Sequence, residues 1–194
     1  MILLASKSAS RRAMLDVAGI AHEAIPASLD ERVLEAGLVE CAPGEIAEAL
    51  SVAKAQAVAS THPGRVVIGS DSLVMCGGRR FDKPESRARA AEHLHFFSGK
   101  VMELHSAAAL VRDDTCEWSE ASLARLHVRE LSDGFIERYL DAEWPKVSHC
   151  VGVFRIEGLG VQLFDAIEGD HFTVLGMPLL GVLTALRELG ELES

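Results

Sequence analysis

Ile2-Leu3-Leu4-Ala5-Ser6-Lys7-Ser8-Ala9-Ser10-Arg11-Arg12 joins an apolar run to a helix-forming one through a serine-rich turn. The run over 2–5 fits a buried strand. Beyond it, Ala13, Met14, Leu15, Val17 and Ala18 follow a helical pattern that Gly19 closes. Serines before the first turn and glycine after the last are the expected cap chemistry. A strand that feeds a helix through small hydroxyl residues leaves backbone N–H groups free at the helix start, where an anion is favoured. Ser6, Ser8 and Ser10 add hydroxyl donors, and Arg11 and Arg12 add forked guanidinium groups suited to phosphate. The same residues also read as a plain cap followed by two arginines on a wet helix face.

Outward from this unit the pattern stays mixed. A helix is expected from Pro43-Gly44 to about Ser60, with Ile46, Leu50, Ala53 and Ala57 on one face and Lys54 about 80° away at its margin. The β-branched start of 66–74 predicts a strand that carries Asp71 in its middle. Pro84 is expected to open a helix with Ala90, Ala91, Leu94 and Phe97 inward. Strands are expected at 102–111, 123–130, 147–156 and 161–167, and helices at 132–141 and 178–189. Strands and helices alternate without a strict βαβ rhythm. The reading is therefore α/β, one elongated unit with a mixed sheet and flanking helices.

Length and composition set the limits. The chain has 194 residues, 48% hydrophobic and 25% charged, which excludes disorder, collagen-like repeats and coiled coil. A net charge of −10 argues against a general nucleic-acid binder, because such a protein needs a basic face to displace counterions. A small polyanion remains compatible where local cations or a metal override the global field. Cys41, Cys76, Cys116 and Cys150 lie 34 to 40 residues apart and form no CxxC pair. They read as reduced thiols, and no apolar run approaches the ~20 residues of a membrane span. A soluble, cytoplasmic protein without membrane contact is expected.

Several residues carry latent chemistry. Asp71, within Gly69-Ser70-Asp71-Ser72, is a carboxylate in an apolar context that needs a partner or a metal if buried. It is equally compatible with a water-facing turn. Asp30-Glu31 reads as a loop pair, and Lys54 and Lys83 read by default as surface lysines. Glu157 precedes Gly158 and Gly160 in a tight connection where a ligand can approach the backbone. Together these are carboxylates for a divalent cation and cations for phosphate oxygens. His93 with His95, and His149 with Cys150, have the wrong spacing to chelate one ion, and no HExxH is present.

In order along the chain, Ser6-Lys7-Ser8-Ala9-Ser10-Arg11-Arg12 resembles the N-terminal signature of the Maf family of nucleoside triphosphate pyrophosphatases. Ile68-Gly69-Ser70-Asp71, Asp82-Lys83-Pro84, Phe97-Ser98-Gly99 and the stretch from Gly169 to Leu179 are similar to its later motifs. Ser148-His149-Cys150, Gly152 and Phe154-Arg155-Ile156-Glu157-Gly158 look like the YceF-type branch. Ala9 stands where the family has proline, Ser10 where the branch often has tryptophan, Ser72 where it often has glutamine, and Asp82 where it has glycine.

The resemblance implies a Maf/ITP pyrophosphatase-like fold with an active-site cleft between two lobes, over 1–194 as one domain. It implies hydrolysis of a nucleoside triphosphate to monophosphate and pyrophosphate, with a 7-methyl-GTP preference in that branch. Glu31 and Asp71 would bind Mg²⁺ or Mn²⁺, and Asp71 would orient or deprotonate water. Lys54, Lys83, Arg11 and Arg12 would neutralise the triphosphate, Ser6 and Ser8 would hold it, and Ser10, Ser72 and Glu157 would select the base. A homodimer is implied as well. The rival implication is a nucleotide-binding regulator of cell division that works through a protein partner.

Overall fold

The computed structural model describes residues 1–193. The elements run β1 (Ile2–Leu4), α1 (Ala9–Val17), β2 (His22–Ala24), α2 (Glu31–Glu35), α3 (Pro43–Ala59), β3 (Val66–Cys76) and β4 (Arg79–Phe81). Then follow α4 (Arg87–Phe97), β5 (Val101–Arg112), β6 (Thr115–Val128), α5 (Asp133–Glu143), β7 (Phe164–Glu168), α6 (His171–Leu175) and α7 (Leu179–Glu188). Short 3₁₀ turns occupy Lys146–His149 and Leu159–Leu163. The strands form one sheet in the order β2-β1-β3-β5-β6-β7, with β4 paired to β3. β1 is parallel to β2 and β3, while β3–β4 and β6–β7 are antiparallel, which makes the sheet mixed as the sequence predicts.

The chain gathers into two compact units. The first comprises Met1–Ser72, His105–Ser122 and Asp170–Ser194. Its strands alternate their side chains between faces, as a period of two requires. Ile2, Leu4, Val66, Ile68, Ala108 and Leu110 share one apolar cluster with Met14 and Leu15 of α1 and Val182, Ala185 and Leu186 of α7. Leu3, Ala5, Val67 and Val111 pack instead with Ala55, Val58 and Ala59 of α3. Two helices therefore back one face of the strands and a third backs the other.

The contact with α3 is unusually close at one residue. A Cβ placed on Gly69 would lie 1.9 Å from the Ser51 carbonyl oxygen and 2.9 Å from Ala55. Only glycine lets the helix backbone approach the strand this closely. The approach also rotates the buried face of α3: Ala47, Leu50, Ser51, Ala55 and Val58 face inward, while Ile46, Ala53 and Ala57 are only partly covered. The expected stripe is thus displaced, because small residues rather than the largest ones meet the sheet.

The second unit comprises Leu73–Leu104 and Leu123–Gly169. Phe81, Phe96, Phe97 and His93 form an aromatic cluster with ring centroids 4.7 to 6.5 Å apart. Three expectations fail here, and a fourth at the start of β6 in the first unit, each for a local reason. Ser86, not Pro84, starts α4, because its hydroxyl accepts from the Arg89 N–H. The strand expected over 147–156 does not form, since Val153 sits at φ 57° and its carbonyl accepts from the Tyr139 hydroxyl at 2.9 Å. The strand expected over 161–167 begins at Phe164, after the 3₁₀ turn. β6 begins at Thr115 instead of Leu123, because only Asp113 and Asp114 separate it from β5.

Gly69→Ala is expected to destabilise the protein by about 1–3 kcal/mol, the usual cost of overpacking. A urea unfolding curve with an unchanged midpoint would show that α3 does not rest on this glycine.

Candidate active site

The serine turn of the first unit is ordered by its own hydroxyls. Ser8 caps α1 by accepting from the Arg11 N–H at 3.4 Å, and Ser6 Oγ accepts from the Ser8 N–H at 3.1 Å. Arg11 then reaches inward. Its Nε donates to the Gly176 carbonyl at 2.9 Å, Nη1 to the Ser70 carbonyl at 2.8 Å and to Ser6 Oγ at 3.4 Å, and Nη2 to Ser72 Oγ at 2.9 Å. Gly176 supports this at φ 105°, and its carbonyl also accepts from Ser70 Oγ and Ser72 Oγ, both at 3.1 Å. Burial pulls the Arg11 pKa down, and the charges of Asp71 and Glu31 push it back up. A guanidinium so placed still carries its charge at neutral pH.

A second group gathers around Lys54. The Lys54 Nζ lies 2.7 Å from Asp71 Oδ1 and 3.1 Å from Glu31 Oε1. Three elements deliver these side chains: α2, whose N-cap is Asp30; the α3 that Gly69 admits; and β3, whose middle holds Asp71. The open question about Asp71 is thereby answered, because it is a strand residue and not part of a turn. Its side chain is 15% exposed and that of Lys54 is 12% exposed, so their charges meet away from bulk screening. Glu31 is 47% exposed and closes the group from the solvent side.

The remaining candidates divide. Arg12 is exposed on α1, where it lines a shallow concavity with Ala13, Asp16, His22 and Ala24. Neither Arg12 nor half-buried Ser10 joins the Lys54 group. Ser72 uses its hydroxyl within the first unit, against Arg11, Gly176 and Ser106 Oγ at 3.0 Å. Lys83 and Glu157 are exposed residues of the second unit. Both act on the half-buried thiol of Cys150, which burial first and the Glu157 charge second push up to about 11, while Lys83 draws it down.

Sequence reasoning passed over several residues that build this site. Ser106 and Thr173 are fully buried, and Ser106 Oγ donates to the Thr173 carbonyl at 2.9 Å. Asp170 caps α6 by accepting from the Thr173 N–H at 3.0 Å, which fixes the turn that ends in Gly176. The tail motif from Gly169 to Leu179 was the visible signal for that turn, although nothing in it pointed to a carbonyl hub.

With this geometry in hand, comparison with known proteins is decisive: the family model for Maf-like protein matches residues 1–189. The chain belongs to the Maf family. A protein of Nitrobacter hamburgensis named nucleoside triphosphate pyrophosphatase is 46% identical over 189 residues, 97% of this chain and 94% of its own length. A 7-methyl-GTP pyrophosphatase of Rhizobium meliloti is also 46% identical, over 196 residues, covering 100% of this chain and 98% of that one. Among solved structures, a nucleoside-triphosphatase / dITP/XTP pyrophosphatase from Mycobacterium abscessus aligns with 67% of this chain and 74% of that one. Its TM-score of 0.38 at 18% identity is too slight to argue from. Among the described residues, no helix is long and apolar enough to cross a membrane.

The action of the Glu157 charge on Cys150 can be checked chemically. Glu157→Gln removes a charge that raises the thiol pKa, so Cys150 should alkylate faster at pH 8 in the variant. Mass spectrometry of iodoacetamide-treated protein, with Cys116 as the internal reference, measures this. An unchanged rate would place the Glu157 carboxylate away from the thiol.

Proposed function

We propose that this chain hydrolyses nucleoside triphosphates between the α and β phosphates, releasing a nucleoside monophosphate and pyrophosphate. The observation that carries the reading is Asp71, a mid-strand carboxylate paired with Lys54 at 2.7 Å in a member of the Maf family. In the reaction a water oxygen bonds to the α phosphorus and the bond to the α–β bridging oxygen breaks. Pyrophosphate leaves with that electron pair, and the water proton passes to Asp71. Asp71 thus orients the water and accepts its proton. Lys54, paired with Asp71, stands against the phosphate charge, and the rest is positioning and electrostatic stabilisation.

The phosphate tail is received at the start of α1. Among the described residues, the N–H groups of Lys7, Ala9 and Ser10 donate to no protein acceptor, so they remain for phosphate oxygens. Arg11 contributes a fixed, half-buried charge, while Ser6 and Ser8 shape the turn. Arg12, exposed on α1, adds a further cation to this end of the first unit.

The charge balance around Lys54 favours a divalent cation. Arg11 and Lys54 already face Asp71 and Glu31, so a polyanionic substrate needs additional positive charge. Asp71 and Glu31 both meet Lys54, and two hard carboxylates so close together, without a third ligand among the described residues, suit Mg²⁺ or Mn²⁺ that takes its remaining oxygens from phosphate and water. Glu31 and Asp71 would hold such an ion, which when bound supplies charge stabilisation at the phosphate oxygens. For the base, Glu157 is an exposed carboxylate able to accept from the N–H edge of a guanine, and a cationic 7-methylguanine strengthens that contact. Ser10, in the first turn of α1, is a second selecting position, whereas Ser72 is already engaged with Arg11.

The purified protein with GTP, 7-methyl-GTP, dTTP, UTP and CTP should release pyrophosphate over many turnovers. Orthophosphate as the product, or binding without turnover, would contradict the reading; the latter would favour a regulator. Asp71→Asn should lower kcat by about 10²–10⁴ while nucleotide binding persists. EDTA should abolish turnover and added Mg²⁺ or Mn²⁺ restore it, with Glu31→Gln needing more metal; activity unaffected by EDTA would remove the ion from the mechanism.

A further inference from the structure

The loop that bears Glu157 has no strand or α-helix to hold it. From Cys150 to Gly158 the backbone is irregular, and it passes through Val153 at φ 57°, a conformation costly for a β-branched residue. Phe154 packs edge-to-face on Phe164, with ring centroids 5.0 Å apart, and one face of α5 ties the loop down by hydrogen bonds. Tyr139 and Glu143 are four residues apart and so share that face. The Tyr139 hydroxyl donates to the Val153 carbonyl at 2.9 Å. Glu143, only 4% exposed, accepts from Arg155 twice, Nε to Oε2 at 2.9 Å and Nη2 to Oε1 at 3.4 Å.

The chain after Arg155 is built onto that residue. The Gly158 N–H donates to the Arg155 carbonyl at 3.1 Å. A Cβ on Gly160 would lie 2.5 Å from the Arg155 carbonyl oxygen and 2.6 Å from its nitrogen, and one on Gly158 would lie 3.0 Å from Arg155 Nη2. Glu157 sits between these fixed points, so its backbone position follows that of Arg155. A buried carboxylate paired with a forked guanidinium sets orientation more strongly than a single hydrogen bond does.

The geometry points to Tyr139 and Glu143 as positioning residues for substrate selection: together they clamp Val153 and Arg155, and through Arg155 they set where the Glu157 carboxylate meets the nucleobase. This rests on Glu157 being the base-reading residue. Neither Tyr139 nor Glu143 touches substrate. Their effect is on the ranking of bases and less on the chemical step, which belongs to Asp71 and Lys54.

A mutant cycle tests this. kcat and KM are measured for 7-methyl-GTP, GTP and UTP with the wild type, Glu143→Gln, Glu157→Gln and the double variant, with Tyr139→Phe as a gentler cut at the other clamp point. Glu143→Gln and Tyr139→Phe should each change the ratio of kcat/KM between 7-methyl-GTP and UTP by about threefold or more, mainly through KM. In the Glu157→Gln background that change should vanish. A general loss of folding would lower all substrates alike and leave the ratio in place, which overturns the proposal. A ratio change of equal size in both backgrounds overturns it too, since the clamp would then act elsewhere. If Glu157→Gln alters the ranking but neither clamp variant does, the clamp fails and the base reading survives. If Glu157→Gln alters nothing, the base reading itself fails and the clamp proposal falls with it.

Discussion

A carboxylate in the middle of a β-strand, largely withdrawn from water, pays a desolvation cost that a nearby cation offsets, and in this protein the Lys54 ammonium lies 2.7 Å from Asp71. Much of the first unit can be understood as the means of bringing that pair together. The β3 strand must pass through the apolar core to carry Asp71, and α3 must lie close enough for a lysine side chain to reach it. Gly69, two residues before Asp71, removes the one side chain that would hold the helix away. Glu31 then meets the ammonium from the other side, so one cation orders two carboxylates.

Arg11 resolves a related problem by different means. Its guanidinium joins the start of α1, the backbone of β3 and the Gly176 turn through carbonyl and hydroxyl acceptors, not through carboxylates. It is fixed in place by neutral acceptors, with the charges of Asp71 and Glu31 acting on it from nearby. A rigid positive group near Asp71 and Glu31 is well suited to electrostatic stabilisation, which depends on charges that need not reorganise. Ser70, Ser72 and Ser106 supply the hydroxyls that permit this in a buried setting, where unsatisfied polar atoms would be costly.

The N-terminal strand–turn–helix, β3 with its acid, the α4 and α5 helices and the closing helix were legible because each has a strong local period or cap. Asp71 could be picked out as anomalous, yet its partner could not, since Lys54 looks like any lysine at the margin of a helix. The region after α5 was misread for a physical reason. Apolar residues such as Val147, Val151 and Val153 favour a strand, but Tyr139 and Glu143 offer hydrogen bonds that a strand ladder would have to displace. Likewise, α2 and β2 are too short for periodicity to reveal, so the placement of Glu31 on a helix beside Lys54 emerged only in three dimensions. The family resemblance gave no sign that Arg11 and Ser72 are engaged with each other.

The most direct test of the central claim, that Asp71 directs water to the α phosphorus, is turnover in ¹⁸O-labelled water followed by mass spectrometry of both products. The account predicts label in the nucleoside monophosphate and none in pyrophosphate. Label in pyrophosphate, or release of labelled orthophosphate, would mean that attack occurs at another phosphorus and that the site does not work as described.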